Sequence, residues 1–403
     1  MKKNFFFSII TVIFILFLAE FSLQVLTFIS KRFDLVLSRK PRTSQMIQDK
    51  NLGFRPSPDY PDHDKNGFRN KYVPHEATII AMGDSQTYGV GVRRKQAWPY
   101  QLEELSRIKT YNMGASGYCP LQSLFLLDEA LEMKPKLVIE AFYPGNDLYD
   151  AYALAYTDKQ FPRFQTKSGH VLENIAKKET KEPLKNEVVK YEIKNTLSRH
   201  GGIREFLAEY SKLYGVFRAL KRIFENQYKA PFFNWKWIKK EAIMNKDSLF
   251  LFENNDIMTV FTPYYRNAAL DTKDPRIEEG LRICLEAIKE MNQRLQKENI
   301  HFLVLLIPSK ALVFKNTVLE HSKNTPEVFR ELILNEQTIS EKIKDFLKKE
   351  GIDFIDPLAT LRESLQNHKQ PFRISRDVHF NARGHRVVAE FLYEKIKKDH
   401  LFQ

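Results

Sequence analysis

The sequence predicts an α/β protein built on a parallel sheet, and three observations carry that reading. Short runs rich in apolar and β-branched residues, Ala77–Met82, Thr110–Met113 and Leu137–Phe142, have the length and composition of buried strands. Each run gives way to small residues bearing polar groups: Gly83-Asp84-Ser85, Gly114-Ala115-Ser116-Gly117 and Gly145-Asn146-Asp147. Segments of helical spacing lie between the runs, which is how a parallel sheet presents functional loops on one edge.

Length and composition set the bounds. At 403 residues the chain exceeds a comfortable single core, so one large domain with extra segments is expected. Its 43% hydrophobic and 13% aromatic content fits a globular protein. The net charge is +13, and residues 151–250 alone hold 20 Lys and Arg against 11 Asp and Glu. No zinc-finger or RNA-binding signature accompanies that charge. A basic accessory segment with a solvated face is therefore preferred over a nucleic-acid surface. Cys119 and Cys284 lie in no C-x-x-C pair, so two buried thiols are the default and a disulfide is the alternative.

In chain order, Met1-Lys2-Lys3 precedes an apolar stretch that includes Phe5 to Ala19 and resumes after Glu20. A spanning helix needs ~20 residues, and residues 5–27 suffice with Glu20 near an interface. A cleaved signal peptide competes, but no small-x-small cleavage pattern follows, so residues 1–30 read as a retained anchor. Lys31, Arg32, Arg39, Lys40 and Arg42 outnumber Lys2 and Lys3, which by the positive-inside rule keeps the body in the cytoplasm. The short lysine-bearing tail is how export signals begin, and the expectation taken is an extracytoplasmic body, periplasmic or at the cell surface. Residues 31–75 contain Pro41, Pro56, Pro58, Pro61 and Pro74 and read as a linker that orders near Asn66-Gly67-Phe68-Arg69-Asn70.

The first α/β stretch spans residues 76–150. Its helices are expected at Gln96–Ile108, with Pro99 in the first turn, and at Leu121–Met133, ended by Lys134-Pro135. Residues 151–275 break the rhythm and read as a basic, mostly helical insertion, with helices at Ile203–Tyr210 and Leu213–Phe224. Phe232, Phe233, Trp235 and Trp237 cluster there beside Lys236, Lys239 and Lys240. Packing as a lid is preferred over a membrane or sugar contact for that cluster. Residues 276–403 resume the α/β rhythm. Helices are expected at Ile277–Glu298, Gln337–Lys349 and Arg386–Lys397, and strands at His301–Ile307 and Ile352–Ile355.

The chemistry follows from side-chain types. A serine hydroxyl needs a base, and the base needs a third group to orient it. Ser85 is the candidate nucleophile. His379, in Asp377-Val378-His379, is the candidate base, since a carboxylate two residues back in an irregular loop reaches the imidazole. His385 is a rival that opens a helix and is expected to pack or cap. An oxyanion needs donors already in place. The N–H groups of Ser85 and of Gly117 or Gly114 suit this, as does the Asn146 amide. Each feature alone has a plain structural reading: loop, turn or exposed histidine.

Together, in the order Ser, Gly, Asn, Asp-x-His, they resemble the SGNH hydrolase superfamily, the GDSL esterases and lipases. Gly83-Asp84-Ser85 looks like the first block, Asn112 to Gly117 the second, Gly145-Asn146-Asp147 the third and Asp377-Val378-His379 the last. Asn66-Gly67-Phe68-Arg69 is similar to membrane-anchored members. The resemblance covers roughly residues 66–150 and 290–397. It implies a three-layer α/β/α sandwich with about five parallel strands, the insertion over or beside the carboxyl edge, and an acyl-Ser85 intermediate. It further implies Asp377 and His379 as the rest of the triad, with Ser85, Gly117 and Asn146 as oxyanion donors. Many members have Asp-x-x-His where this chain has Asp-x-His. The Ile307-Pro308-Ser309-Lys310 loop also resembles polysaccharide acetyltransferases of the alginate type, in which Asp-x-His precedes the serine; here it follows.

The expected activity is removal of an acyl group, acetyl above all, from an envelope carbohydrate or lipid, without metal or organic cofactor. The alternatives are O-acyl transfer to an envelope polysaccharide and a non-enzymatic envelope assembly protein. The expected partners are the acylated substrate, the membrane through residues 5–27 and a membrane-bound acyltransferase, with no nucleic acid.

Overall fold

A computed structural model describes residues 2–38, 43–166, 170–181, 203–228, 232–322 and 324–398. Five parallel strands form the central sheet: β3 (Ile79–Gly83), β4 (Thr110–Asn112), β5 (Leu137–Phe142), β8 (His301–Leu306) and β9 (Asp353–Ile355), in the order β4-β3-β5-β8-β9. Two short antiparallel hairpins accompany it, β1 (Met46–Asp49) with β2 (Gly53–Pro56), and β6 (Phe250–Glu253) with β7 (Met258–Phe261). Every residue of β3 and β5 is buried, as expected of strands covered on both faces. Helices Pro120–Phe125, Pro144–Tyr152 and Pro275–Lys297 pack together, and Trp98–Ser106 packs on Ala382–Lys398. With the sheet they make the expected layered α/β sandwich.

Register positions the site. Gly83 of β3 stands opposite Ala141 of β5, and Phe142 opposite Leu306 of β8. Strands in parallel register end at the same level, so the segments after Gly83, Phe142 and Leu306 leave one edge together. Gly83 has φ +131°, and a Cβ there would meet the Ala141 carbonyl oxygen at 2.6 Å. Only glycine lets β3 turn so close to its neighbour.

Several expectations need correction. Gly145-Asn146-Asp147 is not a loop but the first turn of helix Pro144–Tyr152, started by a proline at the position where its missing N–H costs nothing. The lead-in at 31–75 holds helix Lys31–Leu37 and the β1–β2 hairpin, so it is more than a linker. The insertion also holds the β6–β7 hairpin, where Phe250 and Phe252 face inward in alternation. The helix expected from Gln337 begins at Glu327, and helices Lys310–His321 and Leu358–Gln366 were not expected. Leu121–Met133 is two short helices, Pro120–Phe125 and Leu127–Leu131. Phe232 and Phe233 of the aromatic cluster lie outside the residues whose side chains are described. Trp235 is buried and donates to Glu253, whereas Trp237 is exposed. Cys119 and Cys284 are both buried free thiols.

Candidate active site

Ser85 opens a short helix, Ser85–Tyr88, directly after β3. Asp84 caps that helix, its Oδ1 accepting from Gln86 N at 2.8 Å. Ser85 therefore sits at a fixed strand-to-helix corner, half-buried at the sheet edge.

Asp377 and His379 arrive from nearly 300 residues away. A backbone bridge between Phe372 and Phe380 closes the loop that holds them, and the two rings lie 4.7 Å apart. His379 Nε2 is 2.9 Å from Ser85 Oγ, and His379 Nδ1 is 2.6 Å from Asp377 Oδ1. Asp377 Oδ1 also accepts from the His379 N–H at 3.0 Å, and Arg373 donates to Oδ2 at 3.1 Å. Burial pushes the Asp377 carboxyl up, but the bonds from His379 and the Arg373 charge outweigh it, leaving a pKa of about 2. An ionised Asp377 fixes the proton on Nδ1, so Nε2 faces Ser85 as an acceptor. The expected trio is thus brought together as a relay.

The expected oxyanion donors are less uniform. The N–H groups of Ser85 and Gly117 meet no acceptor among the described residues. Gly117 has φ +80°, a conformation suited to glycine. The Gly114 N–H, by contrast, donates to Asn112 Oδ1 at 2.9 Å and is spent. The Asn146 amide donates to Asp147 Oδ1 at 3.1 Å and to Asp150 Oδ2 at 3.0 Å. Both its hydrogens are engaged, so binding an oxyanion requires one of these bonds to open. His385 packs, as expected: it is fully buried, edge-on to Phe380, and burial lowers its pKa to about 3.

Two residues to which the sequence reading gave no role in the site hold the histidine loop. Gln86 donates from Nε2 to the Val378 carbonyl at 3.2 Å and accepts from Phe380 N at 3.2 Å, bracketing His379 on both sides. Lys310, buried at the start of its helix, donates to the carbonyls of Arg373 and Ser375 at 2.7 Å each and of Val260 at 3.1 Å. Lys310 thereby ties the loop to β7. No sequence signal marks either role beyond their places just after strand ends.

Beside His379 opens a cleft of about 510 Å³, lined by Glu241, Thr262, Tyr265, Arg266, Ser375 and Arg376 among others. Glu241 comes from the insertion and faces Arg376 at 3.7 Å. The insertion thus walls the site from one side. A larger cavity of about 710 Å³ lies elsewhere, between Arg55 and Arg163. Asp84 has other buried acids near it: burial raises Asp84 and Asp150 to about 6 and Glu140 to about 8. No group of three or more His, Cys, Asp or Glu is arranged to hold a metal among the described residues.

Residues 264–403 match the family model for an SGNH hydrolase-like domain, acetyltransferase AlgX. The match includes Asp377 and His379 and lies beyond Ser85. No curated protein matches the chain. Among solved structures, a catalytic mutant of Axe2, an acetylxylan esterase from Geobacillus stearothermophilus, is 12% identical, with 80% of this chain and 95% of that one covered and a TM-score of 0.36. A member of the lipolytic G-D-S-L family from Veillonella parvula is 11% identical, with 79% and 98% covered and a TM-score of 0.35. Likenesses of that degree carry no weight on activity.

Proposed function

Taking the chain as an SGNH hydrolase-like protein, we propose that it transfers an acyl group, acetyl in the first instance, through an ester on Ser85. The Ser85–His379–Asp377 relay, with contacts of 2.9 and 2.6 Å, carries the proposal. His379 Nε2 takes the Ser85 proton as Oγ attacks the ester carbonyl carbon. The N–H groups of Ser85 and Gly117 receive the oxyanion, joined by Asn146 once its amide turns from Asp150. The imidazolium, held by Asp377, returns the proton to the departing alkoxide. Water, deprotonated by the same imidazole, then releases the acid and restores Ser85.

A second reading replaces that water with a carbohydrate hydroxyl. The match of residues 264–403 to an acetyltransferase family supports it, as do the hydroxyl and charged groups of Thr262, Tyr265, Arg266 and Arg376 that reach the cleft beside His379. The body is proposed to work outside the cytoplasm, held by residues 5–27, on an envelope carbohydrate or lipid. The test is turnover of p-nitrophenyl acetate, with fluorophosphonate labelling, by the wild type and Ser85→Ala. Serine-dependent labelling and loss of turnover in Ser85→Ala support acyl transfer. A wild type that neither labels nor turns over refutes it. Acetylated polysaccharide with little free acetate would choose the transferase.

A further inference from the structure

Helix Lys2–Ile29 is long and apolar enough to cross a membrane, and its side chains from Phe6 to Leu18 are largely exposed. It carries one acid, Glu20, which caps an element of the distant insertion. Glu20 Oε1 accepts from Lys212 N at 2.8 Å, and Oε2 accepts from Leu213 N at 2.9 Å and Ser211 Oγ at 2.8 Å. One turn on, Gln24 Nε2 donates to the Tyr210 carbonyl at 2.8 Å. The break between helices Ile203–Tyr210 and Lys212–Tyr228 therefore rests on Glu20 and Gln24. The second helix also crosses the end of helix Lys31–Leu37. A Cβ on Gly215 would stand 2.2 Å from the Leu37 carbonyl oxygen, so only glycine permits the crossing. Arg218 donates to that carbonyl at 3.0 Å, and Lys212 Nζ donates to Ser38 Oγ at 2.7 Å.

Among the described side chains, the polarity of this four-helix cluster is inverted. Glu20, Gln24, Thr27 and Ser211 meet one another or the neighbouring helices, and Thr27 is 3% exposed. Phe206, Tyr210, Phe217 and Leu220 are each about 60% exposed, and Phe33 and Val36 of the short helix face outward as well. Water favours the opposite arrangement; hydrocarbon favours this one, because polar groups there find partners only between helices. Depth agrees. Glu20 lies 14 residues beyond Phe6, ~21 Å along a helix rising ~1.5 Å per residue, in a hydrocarbon layer ~30 Å thick. That leaves it ~9 Å short of the far boundary, and in-plane amphipathic helices seat ~5–10 Å deep.

We propose that helices Ile203–Tyr210 and Lys212–Tyr228 form an in-plane membrane element, docked on the N-terminal span at Glu20 and covered by lipid. The exposed apolar side chains sit on helices docked against the span at Glu20 and Gln24, so the bilayer that receives one receives both. The N-terminal helix is then a retained part of the fold. This extends the anchor reading and is independent of the chemistry at Ser85.

The test reconstitutes the full chain in phosphatidylcholine–phosphatidylglycerol vesicles with a membrane-dissolved aryl diazirine, and maps adducts by mass spectrometry. Adducts are expected on residues 6–29 and on 206–220. In Glu20→Ala the adducts on 206–220 should fall at least fivefold, while those on 6–29 and turnover at Ser85 stay within twofold. Labelling of 6–29 alone overturns the in-plane element and spares the anchor. Absence of label from both overturns both. With Phe217→Cys, protection from the lipid probe and an aqueous maleimide alike means protein covers the face, and the proposal falls.

Discussion

Lys310→Met separates positioning of the base from stability of the fold. The Lys310 side chain is 2% exposed and its ammonium bonds the carbonyls of Val260, Arg373 and Ser375. Removing it strands those acceptors, at roughly 1–3 kcal/mol for each that finds no water. Against this, burial lowers the lysine pKa from 10.5 to about 7, with Asp377 pulling the other way. Such a depression corresponds to about 5 kcal/mol of disfavoured charge, at ~1.4 kcal/mol per tenfold change. The two effects are of the same order, so global stability should change by less than about 2 kcal/mol. The loop, however, loses its tie to β7, and a misplacement of ~1 Å at the base lowers turnover ~100-fold. Lys310→Met should therefore cut kcat about 100-fold with KM within threefold. The folded lysine binds its proton less tightly than the unfolded one. Between pH 7 and 10 the wild type should thus gain stability with pH, and Lys310→Met should lose that slope. The assays are steady-state kinetics at pH 7 and urea midpoints at pH 7 and 9.5. Unchanged kcat with the slope abolished would refute the positioning argument. So would a parallel collapse of kcat and urea midpoint.

Two other substitutions probe the carboxyls. Asp377→Asn should lower kcat by ~10⁴, because the imidazole loses its orienting charge. With its folded pKa at about 2, Asp377 contributes stability that is full above pH 4 and lost as pH falls towards 2. Its partial exposure limits this to roughly 1–2 kcal/mol, and acid unfolding midpoints of both proteins measure it. Glu140 runs in the opposite sense. Burial raises its pKa from 4.5 to about 8, so the wild type loses stability as pH rises from 5 to 8. Glu140→Gln should raise Tm at pH 8 and flatten Tm between pH 5 and 8, as scanning calorimetry would show.

The central sheet was legible because burial on both faces leaves little freedom in composition. Ile79–Gly83 and Leu137–Phe142 are apolar almost throughout, and runs of that kind announce themselves. The hairpins were not legible. Phe250–Glu253 alternates inward and outward over only four residues, too short for a period of two to stand out beside helical neighbours. The helix at Pro144 was hidden by its own start, since Pro-Gly-Asn-Asp has the composition of a turn and also that of a helical first turn.

Within the site, the three side chains proposed to carry the reaction were legible as a set that the structure brings within hydrogen-bond reach, and those that hold them were not. A nucleophile, a base and an orienting acid are constrained in type, so Ser85, His379 and Asp377 could be picked out by chemistry. Gln86 and Lys310 act through backbone groups, and a backbone carbonyl is the same at every residue. Nothing in the identity of Ser375 or Val378 records that Lys310 or Gln86 stands against the chain there. Each contact exists only because parallel register delivers Gln86, after β3, and Lys310, after β8, to the edge where the last loop returns. The same logic covers Glu20, expected near a membrane interface and in the structure the acceptor on which the insertion's helix break rests. A polar residue where its element has no use for one points to a contact made by some other element. In this chain three such residues, Glu20, Gln86 and Lys310, each hold a segment distant in sequence.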